Sequence, residues 1–279
     1  MLIQRILAAI VLIPLVILCL FFLPLMGFIS IMVIICGLCA WEWAQFLQIK
    51  TIKNRLLFAL IFTLFIAIIY YLSTLISSQA SIFKYILLAS LIWWLVALLL
   101  VISYPNSVRI WKNKCIKTLF ACFTLVPFFI GMVELRQINY SHDSFQGAFW
   151  LLYVLVLVWA TDSGAYFAGR AFGKHKLAPK VSPGKTIEGL LGGVILSLLI
   201  SVIVYLSNYF TISLYNLMVS SIFAILVSVL GDLTESMFKR EANIKDSGHL
   251  IPGHGGILDR IDSLTAAIPV FAAISLYVL

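Results

Sequence analysis

Eleven acidic residues are spread over 279 positions, and six of them fall between residues 232 and 262. They are Asp232, Glu235, Glu241, Asp246, Asp259 and Asp262. Four bases, Lys239, Arg240, Lys245 and Arg260, share that window, so it is net negative inside a chain of formal charge +8. Carboxylates are hard oxygen ligands for a divalent cation such as Mg2+. The bases offer charged hydrogen bonds to phosphate oxygens. Gly253, Gly255 and Gly256 let backbone N–H groups approach a polyphosphate closely. Composition alone leaves a second reading open, a solvated loop with surface ion pairs. If a helix begins near Asp259, then Asp259 and Asp262, three apart, share one of its faces.

Other polar positions stand upstream. Asp162 lies within an apolar run, where an ionisable residue is a functional candidate. The alternative is a carboxylate that reaches the membrane interface. Gly184-Lys185-Thr186 does not complete a P-loop, because Pro179 stands where that motif needs glycine. Lys185 is instead a candidate phosphate contact. His254, in the glycine-rich turn, is either a metal ligand or a phosphate or turn contact. Glu188 fits a helix N-terminus. The five cysteines read as packing residues, because free cysteine commonly behaves as a small hydrophobe.

The elements that must position these groups are membrane helices. The chain is 63% hydrophobic and 11% charged, with a mean hydropathy of +1.11. Those values exclude a soluble enzyme, a disordered chain and a disulfide scaffold. A crossing needs about 20 apolar residues. Spans are expected near 5–22, 26–41, 56–73, 84–102, 117–133, 147–168, 186–207, 212–231 and 264–279. The first two share one apolar run broken at Leu23-Pro24-Leu25, read here as a hairpin that gives nine spans; one long kinked helix would give eight. With nine, 17 of the 19 Lys and Arg residues fall on one side, leaving only Lys84 and Arg136 on the other. The positive-inside rule puts the larger set, and the N-terminus, in the cytoplasm and the C-terminus outside. Residues 1–135 are read as N-terminal transmembrane helices. Residues 136–279 are read as a catalytic transmembrane region with a signature loop at 232–263.

That loop carries Ser236-x-x-Lys239-Arg240, then Lys245-Asp246-x-Gly248, then His254-Gly255-Gly256-x-x-Asp259-Arg260-x-Asp262. The pattern resembles the signature of the phosphatidate cytidylyltransferases (CDP-diacylglycerol synthases) at every fixed position. The resemblance extends upstream through Asp162-Ser163-Gly164-Ala165-Tyr166, Ser182-Pro183-x-Lys185-Thr186-x-Glu188-Gly189 and Gly231-Asp232-Leu233-x-Glu235. It implies an all-α polytopic membrane protein with a polar funnel on the cytoplasmic side. It also implies transfer of CMP from CTP to phosphatidate, giving CDP-diacylglycerol and pyrophosphate.

On that resemblance Asp232 and Asp259 are the first-choice Mg2+ ligands, with Glu235, Asp262 and Asp246 beside them; Mn2+ is an expected substitute. Lys239, Arg240 and Arg260 are expected to hold phosphates, and Asp246 and Asp262 to share in catalysis. Asp162, Ser182, Lys185, Ser236, Lys245, His254, Gly255 and Gly256 are expected substrate contacts. The implied partners are CTP and the membrane lipid, not nucleic acid, and a homodimer is an open expectation. The implied location is a prokaryotic inner membrane. Two competing readings are a CTP-dependent polyprenol kinase, which must position a hydroxyl, and an ion-coupled transporter, whose site belongs at the bilayer midplane.

Overall fold

The computed structural model describes residues 2–75, 79–250 and 255–279. In chain order the elements are α1 (Leu2–Phe21), α2 (Leu25–Phe46), α3 (Ile52–Leu75), α4 (Gln79–Ile102), the short α5 (Val108–Trp111), α6 (Lys114–Gln137) and α7 (Gln146–Phe172). A small antiparallel hairpin follows, β1 (Lys176–Ala178) and β2 (Ser182–Thr186). Then come α8 (Ile187–Leu206), α9 (Leu214–Ala242), α10 (Leu258–Ala273) and a terminal π-helical turn, Ile274–Val278. Among the described residues eight helices are long and apolar enough to cross a membrane: α2, α3, α4 and α6 through α10. α1 is a separate helix of 20 residues ahead of them. The chain is an all-α integral membrane protein.

The break at Pro24 is real and has a cause. Pro24 caps α2 in an extended conformation. The Leu25 amide, left without a helical partner, donates to the Tyr140 hydroxyl at 3.0 Å. The Leu23 carbonyl accepts from the buried Arg136 guanidinium at 3.2 Å. Arg136 also lies over the Tyr140 ring, 5.0 Å from its centre. One long kinked helix over residues 5–41 is therefore not what forms.

Burial separates the helices. The apolar stretch of α6 is 72% buried and that of α10 67%, whereas α3 and α8 are 22% buried, so α6 and α10 form the centre and α3 and α8 line the lipid side. α8 is nevertheless gripped by α7 through small residues. A Cβ on Gly192 would stand 2.2 Å from the Ala168 Cβ, and one on Gly193 2.5 Å from the Thr161 carbonyl, so the backbones touch. Small interfacial residues allow this closeness between membrane helices. Hydroxyls add hydrogen bonds across the same interface and on to α9. Tyr153 donates to Ser201 at 2.9 Å and meets Ser221 at 2.6 Å, and Thr161 meets Ser197 at 2.9 Å.

The expected loop at 232–263 is largely helix. α9 continues to Ala242, and α10 starts at Leu258, six residues before the expected span. Hydropathy falls at Asp232, but the apolar face persists in Leu233, Met237 and Phe238, all buried. Phe238 packs against Trp43, Phe46, Trp111 and Phe120. The buried pair Lys117–Glu241 then ties the end of α9 to α6, and Lys117 also donates to the Phe46 carbonyl at 2.9 Å. Tertiary packing thus carries the helix three turns beyond its apolar run. The β-hairpin is the second departure, since 176–186 reads as plain loop.

Candidate active site

The end of α9 presents Asp232, Glu235, Ser236 and Lys239, three and four residues apart and so on one face. That face meets the start of α10, the end of α7, and β2. Asp232 receives the Lys185 ammonium from β2 at 2.6 Å and the Ser236 hydroxyl at 3.2 Å. Lys239 bridges Glu235 at 2.6 Å and Asp259 at 2.8 Å. The second oxygen of Asp259 accepts the backbone amides of Ser247 and Gly256, both at 2.8 Å. Asp262, one turn further along α10, faces Glu235 and Asp232. Asp232, Glu235, Asp259 and Asp262 therefore come together with Lys185 and Lys239, and Asp259 and Asp262 do share the inward face of a helix.

A cavity of about 460 Å³ opens beside this cluster. Asp162, Arg170, Lys185 and Asp232 supply its charge, and Tyr166, Leu177, Leu190 and Val229 its apolar wall. Residues of α7, β1, β2, α8 and α9 line it. Thr186 caps α8 by accepting the Gly189 amide at 3.1 Å, which fixes where β2 hands over to the helix. Glu188 in the first turn of α8 accepts the Lys174 and His175 amides at 3.1 and 3.2 Å, pinning the segment between α7 and β1 to the helix. Outside the cavity, Arg240 ties α9 to the hairpin turn, its Nε donating to the Val181 carbonyl at 3.2 Å.

Not every expected residue joins the cluster. Ser182 sits at the far end of β2, opposite Ala178, and is not part of the cavity wall. Lys245 and Asp246 stand exposed on the turn after α9. Arg240 and Arg260 are also exposed; Arg240 is held by a backbone carbonyl and Arg260 lies in the first turn of α10. Gly255 adopts a left-handed φ of 82°, the conformation that favours glycine. His254 lies outside the described residues. Lys239, expected on a phosphate, is in this structure the counterion of two carboxylates.

Two charged groups beside the site escaped the motif reading. Arg170 lines the cavity from the end of α7. Glu42, fully buried in α2, accepts the Ile257 and Leu258 amides at 2.9 and 2.7 Å. A signal for Glu42 was present, since it is the one charged residue of an otherwise apolar helix.

The donor chemistry fits a divalent cation. Asp232 and Asp259 each hold an ammonium within 2.8 Å, so both positions already select positive charge. The Glu235 Oε1 is buried and has no hydrogen-bond partner among the described residues, and its neighbour is another carboxylate, Asp262. No cage of three or more Asp, Glu, His or Cys side chains is formed among the described residues. Mg2+ does not need one, because it is commonly bound by one or two carboxylates plus substrate phosphates and water.

Comparison with known proteins identifies the family of the chain. The model of the cytidylyltransferase family matches residues 3–278. A phosphatidate cytidylyltransferase of Haemophilus influenzae is 47% identical over the whole of both chains. The protein of that name in Pseudomonas aeruginosa is 42% identical over 98% of this chain and 97% of its own. One from Bacillus subtilis is 39% identical over 63% of this chain and 64% of its own. With a match over nearly its full length and relatives this similar from end to end, the chain belongs to the cytidylyltransferase family.

Proposed function

We propose that this protein transfers the CMP unit of CTP to phosphatidate, giving CDP-diacylglycerol and pyrophosphate, with Mg2+ held by Asp232 and Asp259. The observation that carries the reading is the meeting, at one end of the bundle, of the Asp232–Lys185 and Asp259–Lys239 pairs with a cavity that has both charged and apolar walls. A nucleotide triphosphate needs the first and a lipid the second. Tyr166 and Leu191, exposed on α7 and α8, continue the apolar side toward the lipid face.

The attacking group needs little activation. A phosphomonoester is largely dianionic at neutral pH, its second pKa lying near 6. The barrier is repulsion between two anions and charge growing on the departing pyrophosphate. Bound Mg2+ supplies charge neutralisation and orientation of the phosphates. Lys185 and Arg170 supply fixed positive charge in the cavity wall, and Lys239 supplies it in the carboxylate cluster beside it. When phosphates enter, the lysines exchange carboxylate partners for phosphate oxygens. Ser236 and the Gly255-Gly256 amides add neutral donors.

The site end of the bundle carries most of the basic loops, so the positive-inside rule assigns it to the cytoplasm, where CTP is. A bacterial inner membrane is the matching location. Purified protein in detergent is expected to convert CTP and phosphatidate to CDP-diacylglycerol and pyrophosphate only with Mg2+ or Mn2+ present. Equal turnover in excess chelator would remove the metal from this reading; a phosphorylated lipid as product would remove the cytidylyl transfer. Membrane-impermeant thiol reagent is expected to reach a cysteine at 183 only from the cytoplasmic face.

A further inference from the structure

We propose that Glu42, on α2, is a positioning residue of this site: it fixes the turn between α9 and α10 so that two amides of the turn hold Asp259 in place. The inference rests on the role proposed above for Asp259. Glu42 is fully buried. An ionised carboxylate in such a place must be compensated by hydrogen-bond donors. The compensation here is directed at a single target. Glu42 Oε1 accepts the Ile257 amide at 2.9 Å, and Oε2 accepts the Leu258 amide at 2.7 Å and the Ser247 hydroxyl at 3.2 Å. One turn further along α2, Gln45 donates to the Ser247 carbonyl at 2.5 Å.

The same turn holds Asp259. The Ser247 and Gly256 amides donate to its Oδ2, and the next two amides, of Ile257 and Leu258, go to Glu42. Two carboxylates thus share one strip of backbone, and fixing one fixes the other. Ile257, the N-cap of α10, makes no side-chain cap bond, so the cap comes from a residue 215 positions away. Glu42 also accounts for two glycines of the signature. A Cβ on Gly248 would lie 2.4 Å from Glu42 Oε1, and one on Gly256 2.4 Å from Oε2. The carboxylate fills the space their missing side chains leave.

Glu42→Gln tests this, because it keeps the size but turns an amino group toward backbone donors. Two quantities are read: Mn2+ binding by electron paramagnetic resonance, without substrate, and amide hydrogen exchange over 243–258. Turnover against Mg2+ is measured alongside. The variant is expected to bind Mn2+ about 10- to 100-fold more weakly, the usual scale for losing a group that orients a metal ligand. Exchange over 243–258 should rise, and kcat should recover at high Mg2+ with KM for CTP and phosphatidate little changed. A helix cap of purely structural value would lower stability and leave metal affinity alone. If Glu42→Gln does not insert, Gly248→Ala, which pushes the carboxylate aside, is expected to give the same metal shift. Wild-type Mn2+ affinity or wild-type exchange in an inserted variant overturns the proposal. Should wild-type protein make no CDP-diacylglycerol, the functional reading fails, while the exchange comparison still decides whether Glu42 positions the turn.

Discussion

α3 and the α7–α8 pair are both runs of apolar residues, yet they are built for different work. α3 buries little and presents Leu57, Leu60, Ile61 and Leu64 outward, with exposures from 51 to 61%. α7 and α8 touch backbone to backbone at Gly192 and Gly193 and are laced by hydroxyl hydrogen bonds. In lipid there is no hydrophobic gain from pairing two apolar surfaces, so close packing and hydrogen bonds must hold helices together. The tight pair carries Asp162, Arg170 and the hinge to Lys185; α3 carries no site residue. Rigidity is concentrated where the chemistry needs fixed distances.

The largest effects are expected at the point farthest from that lipid-facing scaffold in character, the Asp259–Lys239 pair. Asp259→Asn keeps shape but loses an anionic ligand. Turnover at limiting Mg2+ is expected to fall by about 10³, the upper end for losing one preorganised charged group. Mn2+ should restore part of it, because the defect is in metal occupancy. Lys239→Ala is expected to cost about 10² to 10³, with no rescue by Mn2+. Turnover and CTP binding over a metal series separate the two. Near-normal turnover of inserted Asp259→Asn at low Mg2+ would take Asp259 out of the metal site.

Much of this site was legible because its spacing is local. Asp259 and Asp262 are three apart, and a helix starting near Asp259 puts them on one face whatever surrounds it. The spans were legible from hydropathy; 84–102 and 186–207 became α4 and α8 within a few residues. What escaped depends on distant partners. Residues 232–242 are helical because Phe238 finds Trp43, Phe46 and Phe120, which no local pattern encodes. The hairpin at 176–186 contains Pro179, Pro183 and Gly184, a turn composition, and Glu188 holds the chain just ahead of its first strand by the Lys174 and His175 amides. Glu42 was visible as an anomaly, but its partners are amides some 200 residues on, and amides leave no trace in a sequence.

An intermediate effect is expected where the tight pair is forced apart. Gly192→Leu places atoms inside Ala168 and is expected to cost about 1–3 kcal/mol, as overpacking generally does. The half-inactivation temperature in detergent should fall, and turnover of the surviving fraction should fall with it, since Asp162 lies on α7 and Lys185 on the strand that leads into α8. Lost stability with untouched turnover would show that the interface holds the fold and not the site.

The smallest effect is expected on α3. Leu64 is 61% exposed and points at lipid. Leu64→Ala trades a large apolar group for a small one in a solvent that is itself apolar, leaves no cavity and breaks no polar contact. None of the mechanisms behind large destabilisation operates, so the change should stay within about 0.5 kcal/mol. Half-inactivation temperature and turnover of Leu64→Ala, measured beside Gly192→Leu in the same detergent, test the contrast directly. A drop as large as that of Gly192→Leu would mean that the exposed face of α3 is covered in the assembled protein. The most direct cover would be a second copy of the chain, and cross-linking from a cysteine at position 60 would then trap it.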